Sequence, residues 1–279
     1  MKKNWSNVFL VLVLLAGVAL LVYPTFSDYW NSLHQSRAIA SYTQAVSTID
    51  NRQYEKIWAA AREYNQSVPL RENRFILTEE DKRLYEEQLD ASGLGIMGYI
   101  EIPEIDVSLP VYHGTSDAVL QIAIGHIEGS SLPVGGPGTH CAVSGHRGLP
   151  SAKLFTSLDQ LENGDLFFLH ILDETLTYQV DQILIVEPYD LSPLEIIEGQ
   201  DLCTLVTCTP YGINSHRLLV RGHRVETPEE EKVLRVVADA VQVEPLLVAP
   251  VVAAPMLLLL LIVLLITTGG QKKSRRKGR

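Results

Sequence analysis

The chain has 279 residues with 23 basic and 33 acidic side chains, a net charge of -10, and a composition that is 46% apolar and 20% charged. Eight of the basic residues lie at positions 2–3 and 272–279, so the stretch 28–244 carries a net charge of -18. An acidic body repels phosphate, which excludes an ordinary nucleic-acid-binding protein. The apolar share excludes a disordered chain, and the three cysteines exclude a disulfide-dense scaffold.

Two long uncharged stretches flank this acidic body. The first has 24 residues between Lys3 and Asp28, and the second has 27 between Glu244 and Lys272. A helix needs about 20 apolar residues to cross a bilayer, so both stretches qualify. We predict an N-terminal transmembrane anchor or signal segment at 1–27, a C-terminal transmembrane span at 245–271 and a basic cytoplasmic tail at 272–279. Small residues at 16–19 leave open the cleavage of a signal peptide.

The basic clusters predict the orientation in the membrane. Both lie on the side of an apolar stretch that faces away from the body, so the positive-inside rule places both termini in the cytoplasm and residues 28–244 outside. The alternative, two buried helices of a soluble core, is disfavoured because core helices seldom adjoin a basic tail such as KKSRRKGR. The sequence therefore predicts a cell-membrane protein with an extracytoplasmic body, whose partners include the lipid bilayer.

The first part of the body, 28–95, has a helical pattern. Apolar residues at 39, 42, 46 and 49 recur at helical spacing. Val68-Pro69 interrupts the pattern, and Thr78 followed by three acidic residues is typical of a capped helix start. After residue 226, apolar residues from 233 to 241 predict a juxtamembrane helix over 227–244.

The segment 96–226 reads as short strands separated by Gly, Pro and Asp turns. The predicted strands are 97–102, 107–112, 140–144, 166–172, 176–186, 202–208 and 217–224. Seven or eight short strands with only brief helices between them indicate a mainly β, closed barrel rather than a parallel α/β sheet.

Common cofactor motifs are missing from the sequence. It has no Walker loop, dinucleotide fingerprint, HExxH or paired CxxC motif, so nucleotide and zinc-protease functions lack support. The candidates that remain are Cys208 at the end of an apolar strand, His146 just after another, and Arg217 at the start of the next. A cationic neighbour favours the reactive thiolate, and an arginine can stabilise the oxyanion that forms on an attacked amide carbonyl. Each residue could also have a purely structural role.

The residues around these candidates resemble a known family. TLVTCTPYGINSHRLLVRG at 204–222 is similar to the active-site signature of the class C, or pilus-assembly, sortases. The resemblance extends to GHRGLP at 145–150, MGYIEIP at 97–103 and LPVYHGT at 109–115. It covers most of 96–225 and includes the arrangement with two membrane anchors.

The resemblance implies a fold and an activity. The fold is an eight-stranded sortase-type barrel, and the activity is that of a cysteine transpeptidase on the surface of a Gram-positive cell. Such an enzyme cleaves an LPxTG-like sorting signal, keeps the pilin as a thioacyl-enzyme and transfers it to a lysine of the next pilin. Carried over by position, Cys208 is the nucleophile, His146 the general acid/base and Arg217 the oxyanion-stabilising residue. No metal or organic cofactor is implied.

One part of the family pattern is missing. Many class C sortases carry a lid with an Asp-Pro-aromatic motif before the barrel, whereas the corresponding stretch at 71–77 reads RENRFIL. We therefore expect a degenerate or absent lid, and ordinary linker packing for Phe75.

The other two cysteines, Cys141 and Cys203, each lie five residues before a candidate site residue. If their strands are parallel neighbours, the two thiols lie side by side; we favour two reduced core thiols over a disulfide, which demands strict geometry. A zinc site formed by His140, Cys141 and His146 is disfavoured because metal ligation would consume the candidate acid/base.

Two other functions remain open on the sequence. One is a sortase that anchors surface proteins to peptidoglycan, and the other is a catalytically silent membrane scaffold on the same barrel. The sequence does not identify the pilin partner, its sorting signal or its acceptor lysine.

Overall fold

The computed structural model describes residues 3–228. The predicted C-terminal span and basic tail lie outside the described residues, as does all of the predicted juxtamembrane helix except its first two positions. Only the first of the two expected membrane helices falls within the described residues.

The N-terminal part of the chain forms one long helix, α1 (Lys3–Ser47), with Pro24 inside it. Proline removes one backbone N–H donor from a helix. By length and composition, the stretch within Phe9–Ser47 is able to cross a membrane. Further along the helix, Tyr42 is fully buried and Val46 packs against the core, so the predicted amphipathic stripe is confirmed.

Two more helices follow before the barrel begins. Helix α2 (Asn51–Ser67) starts at Asp50, whose carboxylate accepts the backbone N–H of Gln53. A 3₁₀ turn at Val68–Leu70 ends it where Pro69 interrupts the pattern. Helix α3 (Glu79–Glu86) begins with the predicted cap, since the side chain of Thr78 accepts from the backbone N–H of Asp81 and the Asp81 carboxylate accepts from that of Thr78.

The remainder of the described chain is a closed barrel of eight strands, which confirms the predicted fold. The strands are β1 (Ile96–Ile102), β2 (Val107–His113), β3 (Ile124–His126), β4 (Thr139–Ser144), β5 (Leu166–Ile171), β6 (Glu174–Val186), β7 (Asp201–Thr209) and β8 (His216–Val225). Their order around the barrel is β1-β2-β3-β4-β7-β8-β6-β5. A one-turn helix, α4 (Asp117–Leu120), lies between β2 and β3. Strand β3 was not predicted from the sequence, because three residues are too few to show an alternating pattern.

Three adjacent strands determine where the candidate site lies. Strands β4 and β7 are parallel and pair Ser144 with Val206, while β7 and β8 are antiparallel and pair Cys208 with Arg217. Successive residues of a strand point to opposite faces. Leu205 and Val220 belong to the large cluster that fills the barrel.

The opposite face of these strands carries a second, smaller apolar cluster. This outer cluster consists of Ala142, Leu194, Val206 and Leu219, with Phe75 packed against it. Cys208 and Arg217 share a face with Val206 and Leu219, because they lie two residues along from them on the same strands. The candidate site therefore lies on the outer face of the barrel wall and not in its interior.

Cys141 and Cys203 are direct register partners on β4 and β7, as their sequence positions suggested. Both are buried free thiols, in agreement with the prediction of two reduced cysteines. Burial raises the pKa of the Cys203 thiol well above its usual value. His140 lies on the other face, where its Nε2 accepts from the hydroxyl of Thr204 at 2.7 Å. Because neighbouring strand residues face opposite sides, His140 and Cys141 cannot point at one metal ion.

Candidate active site

Cys208 lies at the penultimate position of β7 and is half-buried, while the six residues before it are buried. The chain then turns through the cis Thr209–Pro210 peptide, and the backbone N–H of Asn214 donates to the carbonyl of Pro210 at 2.9 Å. An apolar strand therefore holds the thiol rigidly from one side, and a short turn leaves it accessible from the other.

His146 lies two residues beyond the end of β4. The parallel pairing continues past Ser144, because the Gly145 N–H donates to the Val206 carbonyl at 3.0 Å and the Thr207 hydroxyl donates to the Gly145 carbonyl at 2.7 Å. Extending this register by one step places His146 beside Cys208. A side chain would not fit at Gly145, because its Cβ would lie 2.8 Å from both Ile124 and Phe155.

Arg217 occupies the position directly opposite Cys208 on the other neighbouring strand. Its Nη1 donates to the carbonyls of His216 at 3.1 Å and Asn214 at 3.4 Å, which holds the guanidinium over the β7–β8 turn. Neighbouring strands lie about 5 Å apart. Arg217 is therefore the register partner of Cys208 on β8, and the pairing that continues past the end of β4 leads into His146 on the other side of β7.

A fourth residue, Arg147, connects the two loops of this site. Its Nη2 forms an ion pair with Asp159, its Nη1 donates to the Thr209 hydroxyl at 3.4 Å, and its guanidinium lies 5.9 Å from the centre of the Tyr211 ring. The Nε of Arg147 is buried and has no hydrogen-bond partner among the described residues. No sequence motif pointed to a role for this residue, although it directly follows His146.

The segment at 71–77 packs on the same outer face as Cys208. Phe75 contacts the outer cluster, and the Arg74 guanidinium lies 4.5 Å from the centre of its ring. Arg74 also donates to the carbonyls of Leu194 at 2.6 Å and Gly129 at 3.2 Å. A Cβ on Gly129 would lie 2.1 Å from the Arg74 carbonyl, so only glycine allows this approach. The segment is thus bound to the barrel by hydrogen bonds as well as by the packing of Phe75, whereas the sequence predicted only ordinary linker packing.

A cavity of about 770 Å³ lies away from these residues. Its lining includes Thr139 and Asp201, the first residues of β4 and β7, together with Arg224 near the end of β8. Cys208 is seven residues further along β7 than Asp201, or roughly 23 Å at the rise of a strand. This cavity contains none of the three predicted site residues.

The chain is similar to known sortases. A family model of the sortase domain matches residues 100–225, which include positions 146, 208 and 217. The structure of sortase C1 from Streptococcus agalactiae is 53% identical with a TM-score of 0.67, over 69% of this chain and 100% of that chain. The structure of Streptococcus pneumoniae sortase C, described for its catalysis and pilin substrate specificity, is 45% identical with a TM-score of 0.61, over 68% of this chain and 97% of that one. Sortase A of Staphylococcus aureus is 26% identical over 75% of this chain and 90% of that protein.

Proposed function

The chain belongs to the class C sortases, which are cysteine transpeptidases, and from this premise we propose that it joins pilin subunits through lysine isopeptide bonds. The donor pilin carries an LPxTG-like sorting signal, and the acceptor is a lysine amine of the next pilin. The observation that supports the proposal is the strand pairing around Cys208: Arg217 is its register partner on β8, and on the other side β4 runs parallel to β7 and leads into His146.

In the proposed first half-reaction, the Cys208 thiolate attacks the carbonyl carbon of the threonine in the sorting signal. The C–N bond that follows this threonine breaks, and a thioester to Cys208 forms. His146, protonated beforehand, donates its proton to the departing amine nitrogen. The pairing of a thiolate with an imidazolium is the usual way to activate a cysteine nucleophile near neutral pH.

In the second half-reaction, the acceptor lysine attacks the thioester carbonyl as a neutral amine. His146 takes the proton that the nitrogen loses, the C–S bond breaks, and the thiolate and imidazolium are restored. Each tetrahedral intermediate carries an oxyanion, and Arg217 is the proposed donor to it. Its guanidinium already donates to the carbonyls of Asn214 and His216, so little side-chain freedom remains to be lost on substrate binding. These steps need no metal or organic cofactor.

We test the assignment with the detergent-solubilised full chain, a sorting-signal peptide and a pilin fragment that contains lysine. Cys208→Ala is expected to abolish both the thioester adduct, detected by mass spectrometry, and the isopeptide product. The matched control is Cys203→Ala, which removes an inward-facing thiol from the same strand and leaves both signals in place. Cleavage of the peptide by Cys208→Ala would contradict the nucleophile. Transfer to a cell-wall amine but never to a pilin lysine would favour peptidoglycan anchoring, and no turnover at all would favour a silent scaffold.

The proposed location is the outer face of the cell membrane, with α1 as one anchor. The exposed apolar side chains of α1 and the basic residues before them support an N-terminus in the cytoplasm. Protease treatment of intact protoplasts tests this orientation: it should remove the barrel and spare an epitope at the N-terminus.

A further inference from the structure

The loop that begins at His146 is attached to the long N-terminal helix. This histidine loop spans residues 146–155 and is closed at its base, where the Phe155 N–H donates to the His146 carbonyl at 3.2 Å. At its tip, the Asp28 carboxylate accepts the backbone N–H of Lys153 at 2.8 Å and lies 3.8 Å from its ammonium group. The Asn31 amide donates to the Ser151 carbonyl at 2.7 Å. Two residues of α1 thus hold the tip of the loop.

The same part of α1 also holds the chain in front of β3. Gln35 donates from its amide nitrogen to the carbonyl of Ile122 at 2.7 Å. An α-helix rises 1.5 Å per residue, so the three contacts at Asp28, Asn31 and Gln35 fall within about 10 Å along the helix axis. They therefore fix the position of the barrel relative to this short stretch of α1.

That stretch begins where the apolar part of α1 ends. Asp28 is the first charged residue after Lys3, and 24 uncharged residues lie between the two. If α1 spans the membrane, charged side chains mark the point where it leaves the hydrocarbon region. The histidine loop is therefore held at the level where the helix emerges from the bilayer.

Three exposed apolar side chains lie on loops at this end of the barrel, one before β3, which pairs with the end of β4, and two in the β7–β8 turn; we call them the apolar rim. Ile122 is 47% exposed, Tyr211 61% and Ile213 73%. Tyr211 packs against the histidine loop, since a Cβ on Gly148 would lie 2.9 Å from its ring. Exposed apolar groups at one end of a domain can form an interaction surface, and tyrosine is enriched at the membrane–water interface.

We propose that the catalytic end of the barrel rests on the membrane, with the apolar rim inserted into the lipid interface. This proposal depends on the proposed anchoring by α1, because the occupant of the rim is the same bilayer that α1 crosses. The apolar stretch of α1 leads directly into the three residues that contact the barrel, Asp28, Asn31 and Gln35. The rim at this end of the barrel is therefore held next to the bilayer, which favours lipid over another protein as its partner. Cys208 lies five residues before Ile213, so the reaction takes place close to the membrane surface.

Depth-dependent fluorescence quenching tests the proposal on the full chain in vesicles of phosphatidylglycerol and phosphatidylcholine. An environment-sensitive fluorophore is attached to a cysteine at position 213, in a Cys208→Ala background. Cys141 and Cys203 are buried and stay unlabelled in the folded protein. The matched control carries the label at Glu198, an exposed residue shortly before β7, at the end of that strand opposite to Cys208. A label at position 122 provides a second, independent rim site.

The label at 213 is expected to show blue-shifted emission and severalfold stronger quenching by nitroxide acyl-chain lipids than the label at 198. Aqueous iodide should quench the two in the reverse order, and the label at 122 should behave like that at 213. Rim labels that iodide quenches as strongly as the control would overturn the proposal, even if the chain floats with the vesicles. A chain that does not float with them would instead refute the anchoring on which the proposal depends, while the transpeptidation assay in detergent would remain a separate test of the chemistry.

Discussion

At the scale of single residues, Arg147 links the backbone that carries His146 to the turn that follows Cys208. It is bound to Asp159 on one side and reaches Thr209 and Tyr211 on the other. Because a guanidinium presents several donors spread over one rigid plane, it can bind partners on two loops at once. We infer that Arg147 keeps the thiol and the imidazole in register when substrate enters, as a positioning residue that does not touch the reacting atoms.

Replacement of Arg147 by methionine tests this role. The change keeps much of the buried volume and removes the ion pair and the bond to Thr209. We expect kcat for peptide cleavage to fall by about tenfold to a hundredfold, since misplacement of a reacting group by about 1 Å is sufficient for such losses. The KM for the peptide should change little, because Arg147 does not contact the substrate.

The matched variant for this prediction is Asp159→Asn, which weakens the ion pair but leaves the contacts of Arg147 with Thr209 and Tyr211. It should cause a smaller loss of kcat than Arg147→Met. If both variants lost activity only in proportion to their loss of folded protein, measured by thermal unfolding, Arg147 would have a structural role alone.

At the scale of elements, the sequence was sufficient where local periodicity was strong. The alternating strands and the capped helix at Thr78 follow from local pattern, and the candidate residues Cys208, His146 and Arg217 were proposed from local motifs. The packing of Phe75 on the outer cluster and the contacts of Arg147 could not be predicted in this way. Each joins residues 12 to more than 100 positions apart, and such contacts depend on the closed barrel rather than on any short run of sequence.

The segment at 71–77 covers the outer cluster through a single aromatic side chain. Phe75→Ala removes the group that packs against Val206 and Leu219, which lie two residues from Cys208 and Arg217 on their strands. We expect an increased rate of Cys208 alkylation by a small iodoacetamide reagent, because the segment then opens more often. Ile76→Ala is the matched control, since Ile76 is 80% exposed and its loss should leave the rate unchanged. Equal rates in all three proteins would show that the segment does not restrict access.

His140 connects the β6–β7 loop to strands β4 and β7. Its Nδ1–H donates to the Glu195 carbonyl at 2.8 Å and its Nε2 accepts from Thr204, so the ring is held neutral. Burial lowers the pKa of His140 from 6.5 to about 4. Above the ordinary pKa of 6.5, His140 is neutral in both the folded and the unfolded chain. As the pH falls below it, the unfolded chain takes up a proton first, and stability is lost down to the folded pKa.

This linkage predicts that His140 lowers the free energy of unfolding by up to about 3 kcal/mol as the pH falls from 6.5 to about 4. Urea unfolding at several pH values measures it. In His140→Gln, which keeps a donor and an acceptor, the slope of stability against pH in this interval should be shallower. His34→Gln, at an exposed position on α1, should keep the slope of the parent protein. An unchanged slope in His140→Gln would show that other groups cause the acid sensitivity.

At the scale of the whole molecule, charge is segregated between the body and the two ends. The body between residues 28 and 244 has a net charge of -18, and the basic residues outside it number eight. If the catalytic end rests on a membrane with anionic lipids, the acidic body is repelled from that surface and α1 must supply the attachment. The same charge attracts a cationic acceptor from solution, over a distance set by the ionic strength.

This attraction predicts a salt dependence that separates the acceptor from the donor step. With a strongly basic lysine peptide as acceptor, kcat/KM for isopeptide formation should fall about tenfold from low to high salt, as the Debye length shortens from about 30 Å at 0.01 M to about 3 Å at 1 M. A neutral peptide with one lysine should show little change, and so should thioester formation with an uncharged sorting-signal peptide. Because the two acceptors share the same amine chemistry, any difference between their salt slopes reports on the field of the body alone. Equal slopes would mean that the acid excess acts only on solubility and takes no part in acceptor capture.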